Sequence, residues 1–323
     1  MTSNNGSDPG IETVAIIGAG TIGASWTALF AAAGLDVDIH DPSPEAERYV
    51  RDFVETAWPA LETLGLVKPG VAAKLSFFDK PAEAVRRAQF VQESVPEQLA
   101  IKQEIYGLIE PALAPGAIVS TSASGLLLSD MQKGWKDPSR LVLGHPFNPP
   151  HLIPLVELYG NEHSDPALLD VAEAFYRACG KVTIRLNKEV PGHVANRLQA
   201  ALWREAINLV VEGVASVEDV DKAVWAGPGL RWSVMGPHML FSLGSGGQGM
   251  DMFCERYRES FHTWWDSLGQ PTLTPEVGRA LAEGVREEEA GRDFRALAAE
   301  RDAKIVAALQ AMTTVQTASP DKA

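Results

Sequence analysis

The chain has 323 residues, enough for two domains of about 100–200 residues each. Hydrophobic residues make up 46% and charged residues 22%, an ordinary globular composition that excludes a disordered or fibrous chain. Lys and Arg number 28 against 42 Asp and Glu, a net charge of −14. That balance excludes general affinity for nucleic acid or an anionic membrane, while leaving room for a local basic pocket.

The first ten residues have neither a basic start nor an apolar run, so they read as a disordered polar tail rather than a signal peptide. Residues 14–35 carry no charge, and that length alone suggests a membrane span. Gly18, Gly20, Gly23 and Gly34 interrupt it. A short buried strand at 14–18, a glycine turn and a helix over 22–33 account for the stretch better, and no membrane partner is expected. Further strands are predicted at 36–40, 75–78, 89–93, 117–121 and 141–144, with helices over 44–64, 81–86, 98–113 and 126–133 between them. Connectors such as Lys68-Pro69-Gly70 and Ala114-Pro115-Gly116 punctuate the series. The alternation implies parallel strands joined by crossover helices. Segments 153–158 and 181–185 extend the same sheet, with a helix over 166–178.

From Pro191 onward no strand is evident. Residues 193–212 read as a long helix, with Val194, Leu198, Ala201, Leu202 and Ala206 at three-to-four spacing. Gly213 ends it. Ser216, with Asp219 three residues on, opens another over 216–225. Helices follow over 235–243, 250–265, 275–286 and 293–312, and the tail from Thr313 reads as disordered. The boundary falls near Val190-Pro191-Gly192, giving domains 1–190 and 191–323. The two cysteines, Cys179 and Cys254, make no disulfide framework and fit free thiols in a reducing cytoplasm.

Gly18-Ala19-Gly20-Thr21-Ile22-Gly23 has the spacing Gly-x-Gly-x-x-Gly. It follows a predicted strand and opens a predicted helix, as a dinucleotide site requires. Gly18 allows the tight turn, Gly20 lets the backbone approach a pyrophosphate, and Gly23 lets helix and strand pack closely. The helix start offers free N–H groups to the phosphates. Asp41 ends the second strand, where a carboxylate accepts hydrogen bonds from a ribose diol and repels a 2′-phosphate. NAD is therefore expected over NADP. The competing reading is a glycine turn with a surface Asp. The fold class expected is α/β: a Rossmann-type doubly wound sheet followed by an all-helical C-terminal domain.

His145 lies in Gly144-His145-Pro146-Phe147-Asn148-Pro149-Pro150, after the sixth strand. A histidine at the carboxyl end of a parallel strand faces the cofactor crevice. Imidazole titrates near neutrality, so it suits removal of a hydroxyl proton. Glu157 follows in the apolar segment Ile153-Pro154-Leu155-Val156-Glu157-Leu158; a carboxylate in such company needs a partner, and His145 is one. An exposed Glu on an edge strand and a loop His are the alternative. No histidine spacing suits a helix-borne zinc site, and no Gly-x-Ser-x-Gly elbow is present, so no metal is expected.

Taken together, the Gly18–Gly23 loop, Glu93-Ser94-Val95-Pro96-Glu97-Gln98, the 120–126 segment, His145–Pro150 with Pro154-Leu155-Val156-Glu157, the 191–198 segment and Gly229-Leu230-Arg231-Trp232 make the chain resemble the short-chain L-3-hydroxyacyl-CoA dehydrogenases. Within them it is most similar to the branch holding lambda-crystallin (L-gulonate 3-dehydrogenase) and L-carnitine dehydrogenase. The resemblance runs from about Thr13 to Leu309. It implies an NAD-dependent oxidation of an L-3-hydroxy acid to its 3-oxo acid, with a catalytic His145–Glu157 dyad. It puts the family's serine at Ser124, on the reacting oxygen, and its asparagine at Asn196, donating to the same oxygen. A helix N-cap is the alternative for Ser124, and an ordinary polar helix face for Asn196. Glu97 and Lys102 match positions lining the cofactor and substrate cleft, although a surface Lys is common on helices. A homodimer through the C-terminal domain is implied as well.

Two departures stand out. The family's Asn-Thr-Ser run reads Ser122-Ala123-Ser124 here, leaving Ser122 to border the nicotinamide. Members acting on carnitine can carry Asp where this chain has Asn196, a change that bears on carnitine as the substrate and leaves the reaction type intact. Arg231 and Trp232 suit a substrate carboxylate and a pocket wall, against a structural turn with a core Trp. A small free acid of the carnitine or gulonate kind is expected. A short-chain CoA thioester is the alternative, and a non-catalytic, crystallin-like NAD-binding protein the remote one. Retention of His145, Glu157, Ser124 and Asn196 together speaks for an enzyme.

Overall fold

The computed structural model describes residues 10–317; most of the two tails expected to be disordered lies outside the described residues. The part that does not, 313–317, continues the last helix. In chain order the first part comprises β1 (Thr13–Ile17), α1 (Thr21–Ala32), β2 (Asp36–His40), α2 (Ala46–Thr63), β3 (Lys74–Phe77), α3 (Pro81–Ala84), β4 (Phe90–Glu93), α4 (Leu99–Ile109), β5 (Ile118–Thr121), α5 (Leu128–Met131), β6 (Leu141–Pro146), β7 (Leu155–Tyr159), α6 (Pro166–Ala178) and β8 (Val182–Arg185).

All eight strands join one sheet in the order β3-β2-β1-β4-β5-β6-β7-β8. The first six in sequence pair parallel, and the order reverses between β1 and β4, where doubly wound sheets take their ligands. Helices cover both faces. Val14 and Ile16 of β1 pack with Trp26, Phe30, Phe90 and Phe175 on one side. Ala15 and Ile17 pack with Tyr106, Ile109, Val119 and Leu141 on the other. This period-two division is what a central strand buried on both faces requires. Ten of the 12 residues of α1 are buried, which explains why 14–35 is uncharged. Among the described residues no helix is long and apolar enough to cross a membrane.

One expectation is corrected. The alternation implied parallel strands throughout, but β7 runs antiparallel to β6, with His145 opposite Glu157, and β8 pairs parallel to β7. Residues 147–154 link β6 to β7 without a helix. A parallel return needs a crossover of about a dozen residues or more, so a short link forces a reversal. Lys181 holds that link: its buried ammonium donates to Pro150 O and, at 2.7 Å, to Ile153 O, and sits 5.0 Å from the Trp26 ring centre. Burial draws its pKa down to about 7.

The remaining elements are all helical: α7 (Ala195–Val211), α8 (Val217–Ala226), α9 (Pro228–Val234), α10 (Pro237–Leu243), α11 (Gly249–Ser267), α12 (Pro275–Glu289) and α13 (Phe294–Thr317). α9 stands where the sequence reads as a turn. Gly227 closes α8 and Pro228 takes the first position of α9, where a missing N–H costs nothing. By compactness, residues 197–300 form one unit, and residues 10–196 with 301–317 form the other. The second half of α13 thus belongs with the sheet rather than with the other helices, and Gln310 Nε2 donates to Thr63 O at 3.2 Å.

Gly144, next to His145, fixes how β6 lies in the sheet. A Cβ there would sit 2.2 Å from Ser120 Oγ and 2.3 Å from the Tyr176 hydroxyl, two groups bonded to each other inside the core. Gly144→Ala is expected to cost roughly 1–3 kcal/mol, as overpacking does, and to lower kcat by displacing His145. Urea unfolding and steady-state rates check both; an unchanged midpoint contradicts the packing argument.

Candidate active site

The site gathers at the carboxyl ends of β1, β2, β4, β5 and β6. β1 ends at Gly18, whose φ of +90° lies in the left-handed region that favours glycine. A Cβ there would meet Val95 N at 2.7 Å and Ser94 O at 2.8 Å, and one on Gly23 would meet Gly18 O at 1.9 Å. These two glycines are required by contacts within the protein. Gly20 is different: nothing lies within 4 Å of an added Cβ, so the space beside it is open to a pyrophosphate. Thr21, Ile22 and Gly23 begin α1, which has no side-chain cap, so its first N–H groups face an anion site. Asp41 is held at the end of β2, with Oδ2 accepting from Ala19 N (2.7 Å) and Oδ1 from Ser43 N (2.9 Å). A carboxylate oxygen accepts more than one bond, so Asp41 stays able to receive ribose hydroxyls. This loop fits NAD.

Across the antiparallel pair, His145 Nδ1 lies 2.7 Å from Glu157 Oε2, and both side chains are buried. A carboxylate only accepts, so Nδ1 carries the proton and Nε2 is left as the basic nitrogen. The other oxygen, Oε1, accepts from Val194 N (2.9 Å) and Ala195 N (3.0 Å), at the start of α7. Burial pushes the Glu157 carboxyl up, but the bonds from His145, Ala195 and Val194 outweigh it and hold the group below the ordinary carboxylate range.

Ser124 follows β5 in an exposed turn. It caps no helix, because α5 begins at Leu128 with Leu127 as its N-cap. The turn is held instead by Glu97, whose Oε1 accepts from Ser124 N (2.9 Å), Gly125 N (2.8 Å) and Leu126 N (3.1 Å). Asn196 reaches the same turn, with Nδ2 at 3.4 Å from Ser124 O. Ser122 Oγ accepts from Gln92 Nε2 (2.8 Å) and Trp26 Nε1 (3.3 Å) and lies 2.9 Å from Ser94 Oγ.

Lys102 is not a surface lysine. It is buried, with Nζ 2.7 Å from Glu93 Oε1 and 3.9 Å from Glu97 Oε2. Glu93, fully buried, also accepts from Val95 N, Tyr106 Oη and Thr121 Oγ1. This network lies beneath the Ser94–Val95 segment that the Gly18 turn presses against.

The structure thus brings His145, Glu157, Ser124, Asn196, Ser122, Glu97 and Lys102 into one constellation. Arg231 and Trp232 lie in the other unit, exposed on α9. Two residues escaped the sequence reading. Glu93 was seen only as part of a motif. His193, expected as the first residue of a helix, is a buried ring 5.0 Å from that of His145; the preceding Pro191-Gly192 signals a turn rather than a helix start. Among the described residues no group of three His, Cys, Asp or Glu is arranged to hold a metal.

Two family models match the chain: the 3-hydroxyacyl-CoA dehydrogenase NAD binding domain over residues 13–190 and the C-terminal domain of the same enzymes over 192–288. The chain belongs to the 3-hydroxyacyl-CoA dehydrogenase family. It is 44% identical over 301 residues to an L-carnitine dehydrogenase of Streptomyces coelicolor, covering 93% of this chain and 95% of that one. It is 41% identical over 302 residues to an L-carnitine dehydrogenase of Pseudomonas putida, covering 94% of each. Among solved structures, 5-formyl-3-hydroxy-2-methylpyridine 4-carboxylic acid 5-dehydrogenase, an NAD+ dependent dismutase, superposes with a TM-score of 0.81 at 30% identity, covering 94% of this chain and 99% of that one. Family and branch agree with the likeness carried by the sequence motifs. As a 3-hydroxyacyl-CoA dehydrogenase family member, the chain is an NAD-dependent oxidoreductase acting on a CH–OH group.

Because Glu157 has its pKa lowered by folding, its contribution to stability is complete above the ordinary carboxylate range. It is lost as pH falls through the lowered folded value. Glu157→Gln is expected to cost about 1–3 kcal/mol at neutral pH and to remove that part of the acid sensitivity. Urea unfolding across pH 3–7 for both proteins checks it; parallel pH profiles count against a stabilising charged Glu157.

Proposed function

We propose that the protein interconverts a small free L-3-hydroxy acid of the L-carnitine kind and its 3-oxo acid. The observation that carries the chemistry is the buried His145–Glu157 bond of 2.7 Å. Glu157 fixes the tautomer and orientation of the imidazole, so His145 Nε2 takes the hydroxyl proton, and Glu157 offsets the positive charge that His145 then carries. The Ser124 hydroxyl and the Asn196 amide hydrogen-bond the reacting oxygen as it becomes a carbonyl. NAD, when bound, would accept the hydride; Gly18 to Gly23 and Asp41 would hold its pyrophosphate and ribose, and Ser122 would border its nicotinamide.

Support for the substrate class comes from relatives named L-carnitine dehydrogenases, 38–44% identical over nine-tenths or more of this chain. Arg231 and Trp232 are assigned to the substrate on their chemistry alone: a guanidinium for the carboxylate and an indole face for a quaternary ammonium. The protein works as a homodimer in this reading. Trp203, Trp225, Trp264 and Trp265 are each more than half exposed in the single chain, an amount of uncovered aromatic surface that suits an interface between copies. We assign it to the cytoplasm, because Cys179 and Cys254 are free thiols.

The test is NADH formation from L-carnitine, L-gulonate, L-3-hydroxybutyrate and L-3-hydroxybutyryl-CoA, with NADP as the control acceptor. A preference for L-carnitine with NAD is expected, and His145→Ala is expected to lower kcat/KM by roughly 100-fold or more. Turnover of the thioester alone refutes the substrate class. Full activity in His145→Ala refutes the mechanism.

A further inference from the structure

Pro191-Gly192-His193 turns the chain from the sheet into α7. Gly192 and His193 have φ of +75° and +51°, two successive left-handed residues. Glycine adopts that conformation freely and histidine seldom does, so the fold holds this ring where it is against its backbone preference. The ring is buried. Its Nε2 lies 3.0 Å from Ala123 O, one residue before Ser124, and its centre lies 5.0 Å from the His145 ring. The next two N–H groups, of Val194 and Ala195, are the ones that bind Glu157. One side chain therefore touches the Ser122–Ser124 segment and the imidazole of the dyad, and its own turn aims two donors at the dyad's carboxylate.

Since a carbonyl only accepts, His193 carries its proton on Nε2. Burial is the largest influence on its titration and holds it below the ordinary imidazole value. The bond to Ala123 opposes that, the charge of His145 adds to it, and Glu157 and Glu97 are the remaining charged groups that face it. That direction favours the neutral ring with its one proton on Nε2, the form the bond to Ala123 O requires.

We propose that His193 is a positioning residue of this active site: its Nε2–H, donated to Ala123 O, fixes the Ser124 hydroxyl relative to His145, while its ring packs beside that of His145. The proposal rests on the roles given above to His145 and Ser124. A histidine suits this turn because a residue with no donor there fills the space and leaves the Ala123 carbonyl unanchored.

Two variants separate donor from bulk. His193→Gln keeps an amide N–H that reaches where Nε2 was, and His193→Phe keeps the ring and removes the donor. With the best substrate of the panel above, His193→Phe is expected to lower kcat about tenfold, about 1.4 kcal/mol in the barrier, with the KM for NAD within about twofold and the melting temperature lowered by only a few degrees. His193→Gln is expected to recover most of that rate. Equal kcat in the parent and both variants overturns the proposal, as does a loss in both that only follows the melting temperature. A readout free of turnover is the imidazole 15N spectrum of the NAD-free protein. His193 is expected as the Nε2–H tautomer, and a Nδ1–H tautomer or an exchanging mixture overturns the assignment. If His145→Ala stays active, the catalytic reading falls by itself, and the 15N spectrum still decides whether His193 holds Ala123.

Discussion

The carboxylate of Glu157 is the interaction on which the site turns. It is fully buried in the middle of β7, where an unpaired charge would be untenable. Its two oxygens take three donors from two directions, one from His145 and two from the backbone at the start of α7. Each consequence follows from that demand. β7 must run antiparallel to β6, since that register sets residue 157 directly opposite 145. The link between them must be short and firmly held, and Lys181 supplies the hold through two of its carbonyls. The chain must also turn sharply before α7 so that its first N–H groups point back at the sheet, and the left-handed pair at 192 and 193 achieves this. A helix start favours a negative charge, so Glu157 serves α7 as its anion while it orients His145.

Much of this was legible beforehand. Each of the eight strands was visible as a short segment between turn signals, the central ones largely apolar because a sheet covered on both faces demands it. The glycine loop and Asp41 were legible as a pattern because both fall within one local β1–α1–β2 unit. The direction of β7 was not, because alternation of strand and helix speaks for parallel crossovers and says nothing of a single helix-free return. α9 was hidden by Gly227-Pro228-Gly229, a string that reads as a turn. Close approach to α8 requires both glycines there, with would-be Cβ atoms 2.4 Å from Ala223 O and 2.7 Å from Val224 O, and the proline only begins a helix. His193 was lost in a run of helical periodicity starting at Val194. Lys102 looked like a helix-surface residue because its partner, Glu93, sits on the preceding strand β4 rather than on its own helix, and pairing between elements is written in no local pattern.

Three carboxylates organise the constellation, and all three do so through backbone N–H groups. Glu93 takes Val95 N, Glu97 takes Ser124, Gly125 and Leu126 N, and Glu157 takes Val194 and Ala195 N. Each therefore fixes a stretch of chain that no regular helix or strand would hold. Acidic composition here supplies structure at the site rather than acid–base chemistry. What stays uncommitted is His145 Nε2 and the Ser124 hydroxyl, which makes no hydrogen bond among the described residues, together with the Asn196 amide, held only by a contact of 3.4 Å. A base, a hydroxyl and an amide donor are the groups that the proposed transfer of a proton from a hydroxy acid calls for. In that proposal the chemistry falls to polar groups that the fold leaves unsatisfied, within a frame in which most neighbouring charges are already answered.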